Sequence, residues 1–233
     1  TVDDVHSWFD HFLRGADNGI DQQNPISLKD VRTGELHSYT SWPAATNHDR
    51  APLGPPGATP QVTTNPPATW SATIKAGTDT TATSGPMQFV PIDAYRPPTV
   101  TMKTISTTNA FVWNGPTLPS GLGLRGSPTV HIRLAASAPT ATVFLYLYDV
   151  TPAGLGTLID MQPYTATGLH ADRPKDLSID MQPMCWSLPT SDHLTLVIDT
   201  VDPRYQSLTP SGTTITVSST QKQPASFVGP SQA

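Results

Sequence analysis

A serine nucleophile of the α/β-hydrolase kind sits on a sharp strand-to-helix turn written Gly-x-Ser-x-Gly, followed along the chain by an acid and a histidine. That pentapeptide does not occur here. Ser127 follows Gly126 directly, within Arg125-Gly126-Ser127-Pro128, and these residues read as a turn. No catalytic residue is therefore assigned. The seven histidines are scattered. His6 and His11 are five apart on a helical stretch, which sends them to different faces, and His-Glu-x-x-His is missing. A single cysteine, Cys185, allows neither an intrachain disulfide nor a Cys/His zinc spacing. Between Met184 and Trp186 it reads as a small buried hydrophobe. Gly121-Leu122-Gly123 follows a Pro-Ser turn, and no phosphate-loop pattern is present. The motifs thus call for no cofactor and no metal. The carboxylates leave two readings open. Asp149, Asp180, Asp199 and Asp202 all fall near expected strand ends. Together they could line one rim and hold Ca²⁺ or a sugar; singly they are turn and cap residues that bond nearby backbone N–H groups. Trp70, Trp113 and Trp186 read as core in preference to an exposed sugar platform.

Composition narrows the setting. The 233 residues suffice for one large all-β domain or two small ones, and 36% are hydrophobic, low for a globular chain but outside the disordered range. Charged residues are only 13%, about half the usual share. A net charge of −5 without any Lys/Arg cluster argues against nucleic acid as a partner. No apolar stretch approaches membrane-spanning length, so no membrane contact is expected. Neither an initiator Met nor a signal-peptide pattern opens the chain, which begins at Thr1 inside what reads as structure. A cut or processed chain is the expectation. Low charge with much Thr, Ser and Pro leans toward a secreted or cell-envelope setting, although one cysteine leaves the compartment open.

The elements that would hold any such site change character along the chain. Val2, Val5, Trp8, Phe9, Phe12 and Leu13 form one apolar stripe at helical spacing. Asp3 and Asp4 suit the first turn and Gly15 the C-terminal cap, so a helix of roughly three turns is expected. A helix so short is marginal alone, and its aromatic stripe must pack on something. Gly19 to Trp42 reads as loop, a short strand near Ile26 to Val31, and a turn at Thr33-Gly34. From Pro43 to Pro67 the chain is dense in Pro, Gly, Ala and Thr, a linker or surface-hugging connection. Thereafter the period is two. Thr69–Lys75, Met87–Pro91, Thr99–Ser106 and Val130–Leu134 are expected strands, and so are the runs through Leu194–Ile198 and Ile215–Val217. Thr142 to Val150 is apolar on both faces and should be a central strand. Ile159–Pro163 and Ile179–Pro183 share the sequence Ile-Asp-Met-Gln-Pro and read as two similar strand ends. Short strands broken by regular turns argue for a sandwich or jelly roll.

Two regions carry a family resemblance. Trp8-Phe9-Asp10-His11-Phe12-Leu13-Arg14-Gly15, Pro25 with the strand after it, and Ser41-Trp42-Pro43 resemble the last catalytic-domain helix, final strand and linker start of the cocaine-esterase and X-Pro dipeptidyl-peptidase hydrolases. Gly126 to Leu134, Leu145 to Gly154, His193 to Asp199 and Asp202-Pro203-Arg204-Tyr205 resemble that family's β-domain strands, in order and spacing. The sequence departs where Ala141 or Thr142 replaces an Asp, where Asp199 stands at a common Ser, and where Lys29-Asp30-Val31 is less hydrophobic.

The resemblance implies a mainly β chain: a galactose-binding-like jelly-roll sandwich at 68–233, a linker at 44–67, and at 1–43 a helix and strand from the tail end of an α/β-hydrolase domain. It also implies a Ser-Asp-His triad upstream of Thr1, serving ester hydrolysis, X-Pro dipeptide release or β-lactam side-chain acyl transfer. This chain would then be a non-catalytic domain that packs on the upstream domain and shapes its pocket or its oligomer. Trp8, Phe9, Phe12, Leu13 and Trp42 are the interface candidates, and the stripe is expected to face either the β domain or a missing partner. A free-standing carbohydrate-binding module and a structural or oligomerisation module are the alternatives.

Overall fold

Helix α1, Val2–Arg14, opens the structure, a computed structural model that describes residues 2–42, 47–57, 69–85 and 96–232. Asp3 and Asp4 sit in its first turn and His11 and Arg14 in its last, the placement the helix dipole favours. Gly15, with φ +70°, ends it. The Gly15 and Ala16 amides then bond the carbonyls of His11 and Asp10, both at 3.0 Å. Next comes a two-stranded hairpin, β1 (Ile26–Lys29) with β2 (Leu36–Tyr39), turned through Gly34 at φ +77°.

The rest is a jelly-roll sandwich of antiparallel strands. In chain order these are β3 (Asn47–Pro52), β4 (Trp70–Lys75), β5 (Thr99–Thr101), β6 (Phe111–Asn114), β7 (Leu122–Gly126), β8 (Thr129–Ala136), β9 (Thr140–Val150), β10 (Leu155–Thr167), β11 (Lys175–Asp180), β12 (Met184–Leu188), β13 (His193–Asp199), β14 (Thr214–Ser219) and β15 (Ser226–Gln232). One sheet runs β5-β10-β9-β13-β6; the other runs β12-β7-β15-β8-β14-β4, with β11 paired to β8 and β3 to β15. Ser127 lies between β7 and β8, beyond Gly126 at φ +140°, in the turn its neighbours imply.

Strand β9 shows why its sequence is apolar throughout. It pairs with β10 on one side and β13 on the other, and both of its faces are covered. Val143, Leu145 and Leu147 enter the core between the sheets, with Trp113, Leu134, Ile198 and Val217. Phe144, Tyr146 and Tyr148 enter a second cluster on the opposite face, with Val100, Ile105, Val112 and Leu158. Each such side chain contributes about 1.5–3 kcal/mol when removed from water. Trp70, Trp113 and Trp186 are core residues, and the indole N–H groups of Trp70 and Trp113 bond the carbonyls of Leu53 (3.0 Å) and Gly54 (2.8 Å).

Several expectations shift. Residues 47–52, expected in the connection, form β3 and pair with β15 in the larger sheet. The strand expected over Thr99–Ser106 stops at Thr101 and continues as a 3₁₀ turn, Met102–Thr104. Ile159–Pro163 is no strand end: it lies inside β10, at the irregularity between Leu158 and Asp160. Its counterpart does end β11, at Asp180. The strand expected over Met87–Pro91 and most of the Pro43–Pro67 connection lie outside the described residues.

Candidate interdomain interface

The stripe on α1 points to solvent. Trp8 is 48% exposed, Phe9 47%, Phe12 54% and Leu13 72%. Trp8 stacks edge-on to Phe9 (5.3 Å) and tilted against Phe12 (4.7 Å), so the rings cluster with one another. Helix α1 rests instead on the turn at Ile20–Gln22, secured by Asn18 Nδ2 donating to the Ser7 carbonyl (2.7 Å) and by His11 Nδ1 at 2.8 Å from the Ala16 carbonyl. Of the two faces expected for these aromatics, the β domain is therefore not the one they take. Trp42 is 42% exposed, and Val31 and Leu36 on the hairpin are exposed as well. Trp8, Phe9, Phe12, Leu13 and Trp42 thus all stand exposed in this chain.

The hairpin is held differently, by a buried ion pair. Asp30 is fully buried at the end of β1, and its Oδ1 accepts the amides of Arg32 and Thr33, both at 2.9 Å, to form an Asx turn. Its Oδ2 accepts the Ser187 hydroxyl (2.6 Å) and lies 3.2 Å from Arg125 Nη2. Arg125, on β7 of the sandwich, also donates Nη1 to the carbonyls of Leu124 (2.9 Å) and Trp186 (2.7 Å), and Nη2 to Ser187 Oγ (2.8 Å). Arg32 Nε donates to the Ser187 carbonyl (2.5 Å), and the Val31 amide to that of Cys185 (3.3 Å). Burial works to raise the Asp30 carboxyl; the bonds from Ser187, Thr33 and Arg32, with the Arg125 charge, outweigh it and hold the group below the ordinary carboxylate value. This lock fixes the hairpin to the sandwich.

Asp30, His37 and Cys185 bring one potential ligand atom each within 4.8 Å of one another. They do not suit a metal. Arg125 Nη2, at 3.2 Å from Asp30 Oδ2 and 3.3 Å from His37 Nε2, already places a positive charge between two of the three. Burial, with Asp30 and Glu35 nearby, raises the Cys185 thiol against the pull of Arg125. The thiolate that a metal site or a nucleophile requires is thus disfavoured.

The four aspartates expected near strand ends do not form one rim. Asp180 is exposed on β11 and accepts the Thr129 hydroxyl (2.8 Å). Asp149 is buried, accepts Trp186 Nε1 (2.8 Å), and is raised to about 6, chiefly by burial. Asp199 and Asp202 do come together, beneath the loop carrying Thr80 and Ser84. Asp202 accepts the Ser84 amide (2.8 Å) and hydroxyl (2.7 Å), Tyr146 Oη (3.0 Å) and the Arg204 amide (2.8 Å), so it serves as a cap. Asp199, fully buried and bonded by the Thr80 hydroxyl, is raised to about 8, first by burial and further by Asp202 and Asp79. Its Oδ1 has no partner.

Sequence reasoning found the exposed stripe and missed the lock. One signal was present: Asp30 stands two and three residues before the amides it bonds, ahead of Thr33-Gly34, as an Asx turn requires. Nothing local announces Arg125, 95 residues away, as its partner.

Comparison with known proteins is informative at the level of fold. The profile of the X-Pro dipeptidyl-peptidase C-terminal non-catalytic domain matches residues 18–232; it takes in the hairpin and leaves α1 outside. No curated protein gives a match. Among solved structures, a CocE/NonD family hydrolase from Staphylococcus aureus superposes with a TM-score of 0.69 at 11% identity, over 100% of this chain and 45% of that one. An aminopeptidase from a marine sediment Thaumarchaeota archaeon gives 0.68 at 14% identity, over 98% and 43%. An alpha-amino acid ester hydrolase gives 0.67 at 12% identity, over 98% and 44%. The chain thus spans less than half the length of these structures.

Proposed function

Because this chain belongs to the X-Pro dipeptidyl-peptidase C-terminal non-catalytic domain family, we propose that it serves as the accessory domain of a serine hydrolase of the esterase or X-Pro dipeptidyl-peptidase type. In this reading residues 1–43 are the tail of an α/β-hydrolase domain, whose Ser-Asp-His triad lies upstream of Thr1. The observation that carries it is the α1 stripe: Trp8, Phe9, Phe12 and Leu13 are exposed on the one helix the family profile leaves out. Burying four such side chains against an upstream domain stabilises the pair by roughly 1 kcal/mol each or more.

The lock gives that contact a mechanical consequence. α1 leads into the hairpin, and the hairpin is clamped to the sandwich through Asp30 and Arg125. A catalytic domain seated on α1 would be held at a fixed attitude to the sandwich, which could then form one wall of its substrate pocket. The chemistry itself, attack by serine and stabilisation of the oxyanion, belongs to the upstream domain. Trp70, Trp113 and Trp186 are buried, which disfavours a sugar platform built on them.

The test is to purify the protein from its source, weigh it intact, and treat it with a serine-reactive fluorophosphonate. A mass well above 24.9 kDa, with probe attached upstream of Thr1 and turnover of a simple ester, is the expected result. A mass equal to this chain alone, with no labelling, would overturn the proposal.

A further inference from the structure

Between the two sheets, beside β3, lies a cavity of about 270 Å³. Its floor is Leu53, Trp113, Leu124, Leu147, Leu196 and Phe227, all buried. Half-buried Ala51, Leu118, Leu122 and Leu194 narrow its mouth, and exposed Asp49 stands at the rim. On the floor the Trp113 indole N–H is already used by the Gly54 carbonyl (2.8 Å), and at the rim Ser231 Oγ bonds Asp49 Oδ2 (2.5 Å). Water held in such a space needs two to four polar partners, and this lining offers almost none; apolar cavities about half this size stay dry and take up benzene. A void this large, lined mainly by leucine among the described residues, suits an apolar guest.

Charge selects the head group of that guest. By strand alternation Asp49 and Ala51 face the cavity, while Arg50 between them faces the opposite side, where it lines a groove with His131 and Arg133. The mouth therefore carries a carboxylate, and among the described lining residues there is no cation. A carboxylate-headed guest would meet like charge there; an ammonium would meet its complement.

We propose that this inter-sheet cavity binds a small cationic amphiphile, with its apolar tail on the leucine and tryptophan floor and an amine at the mouth beside Asp49. All the described lining residues belong to this chain, and the proposal does not rest on the domain-docking reading.

The probe is n-octylamine, titrated into the full chain by calorimetry, with octanoate as the opposite charge and with ¹³C-methyl spectra of the leucines as the reporter of place. Saturable binding of one octylammonium per chain, at least tenfold tighter than octanoate, with shifts at Leu53, Leu147 and Leu196, is expected. Asp49→Asn should remove the preference between the two head groups. Ala51→Phe, which places a ring in the mouth opposite Phe227, should abolish binding while the far-ultraviolet circular dichroism stays that of the parent. The proposal is overturned by an absence of saturable binding, by octanoate binding as tightly as octylammonium, by Ala51→Phe leaving the affinity intact, or by shifts confined to methyls outside the cavity.

Discussion

Asp30→Ala should be among the most damaging single substitutions in this protein. The carboxylate accepts two backbone amides at 2.9 Å and the Ser187 hydroxyl at 2.6 Å, and it neutralises Arg125 at 3.2 Å. Both side chains are almost entirely buried. Removing the acid leaves a guanidinium in a low-dielectric site without a counter-charge, which costs about 3–5 kcal/mol. For a chain of this size that lowers Tm by about 6–20 °C. Arg125→Met should cost less, about 1–3 kcal/mol, because Asp30 keeps its three donors. In the double variant no buried charge is left unpaired, so the loss should fall well short of the sum of the two. The pH dependence has a defined sign. Asp30 is held below its ordinary value of 3.8, so its stabilisation is present above pH 3.8 and is lost as pH falls through the lowered folded-state value. Urea unfolding of the four proteins at pH 7 measures all of this. Losses below about 1 kcal/mol in both single variants, or strict additivity in the double, would refute the lock.

Asp199 carries the opposite sign. Raised to about 8 from 3.8, it takes up a proton on folding, so stability falls as pH rises between those values. Asp199→Asn should raise stability at pH 7, by at most about 4 kcal/mol, and flatten the pH profile from 4 to 8 in thermal melts. Trp186→Phe removes the donor to Asp149 Oδ2, whose Oδ1 already has no partner; a loss of about 1–3 kcal/mol is expected in urea unfolding. Replacing Trp8 and Phe12 together by Ser should change the unfolding free energy of the isolated chain by less than about 0.5 kcal/mol per site, as exposed positions do. In a protein carrying the upstream domain, the same pair should lower the midpoint of the catalytic unit.

The legible parts of the fold were those whose signal is local. Helix α1 announces itself by its stripe and by Gly15, and β9 by an apolar run whose two faces both find cover. Strands β8, β13 and β14 follow from alternation. What was missed depends on partners far along the chain. β3, Asn-His-Asp-Arg-Ala-Pro, and β15, with Gly229 and Pro230, have poor strand sequences, yet each supplies the other's ladder. β2 is a strand because the Asp30 turn brings it back on β1. At the candidate interface the aromatics were readable from spacing, whereas the Asp30–Arg125 pair needed the fold to bring together residues 95 positions apart. Asp199 drew notice as an unusual residue at its position, but its burial and unpartnered oxygen belong to the tertiary structure.

Hydroxyl-radical footprinting of Trp8, Phe9 and Phe12, in the isolated chain and in the protein that carries the upstream domain, would show whether α1 is a docking surface. The docking reading predicts strong labelling of all three in the isolated chain and several-fold protection in the longer protein, while the exposed hairpin residue Leu36 serves as an internal comparison. Equal labelling of the three aromatics in both proteins would contradict it.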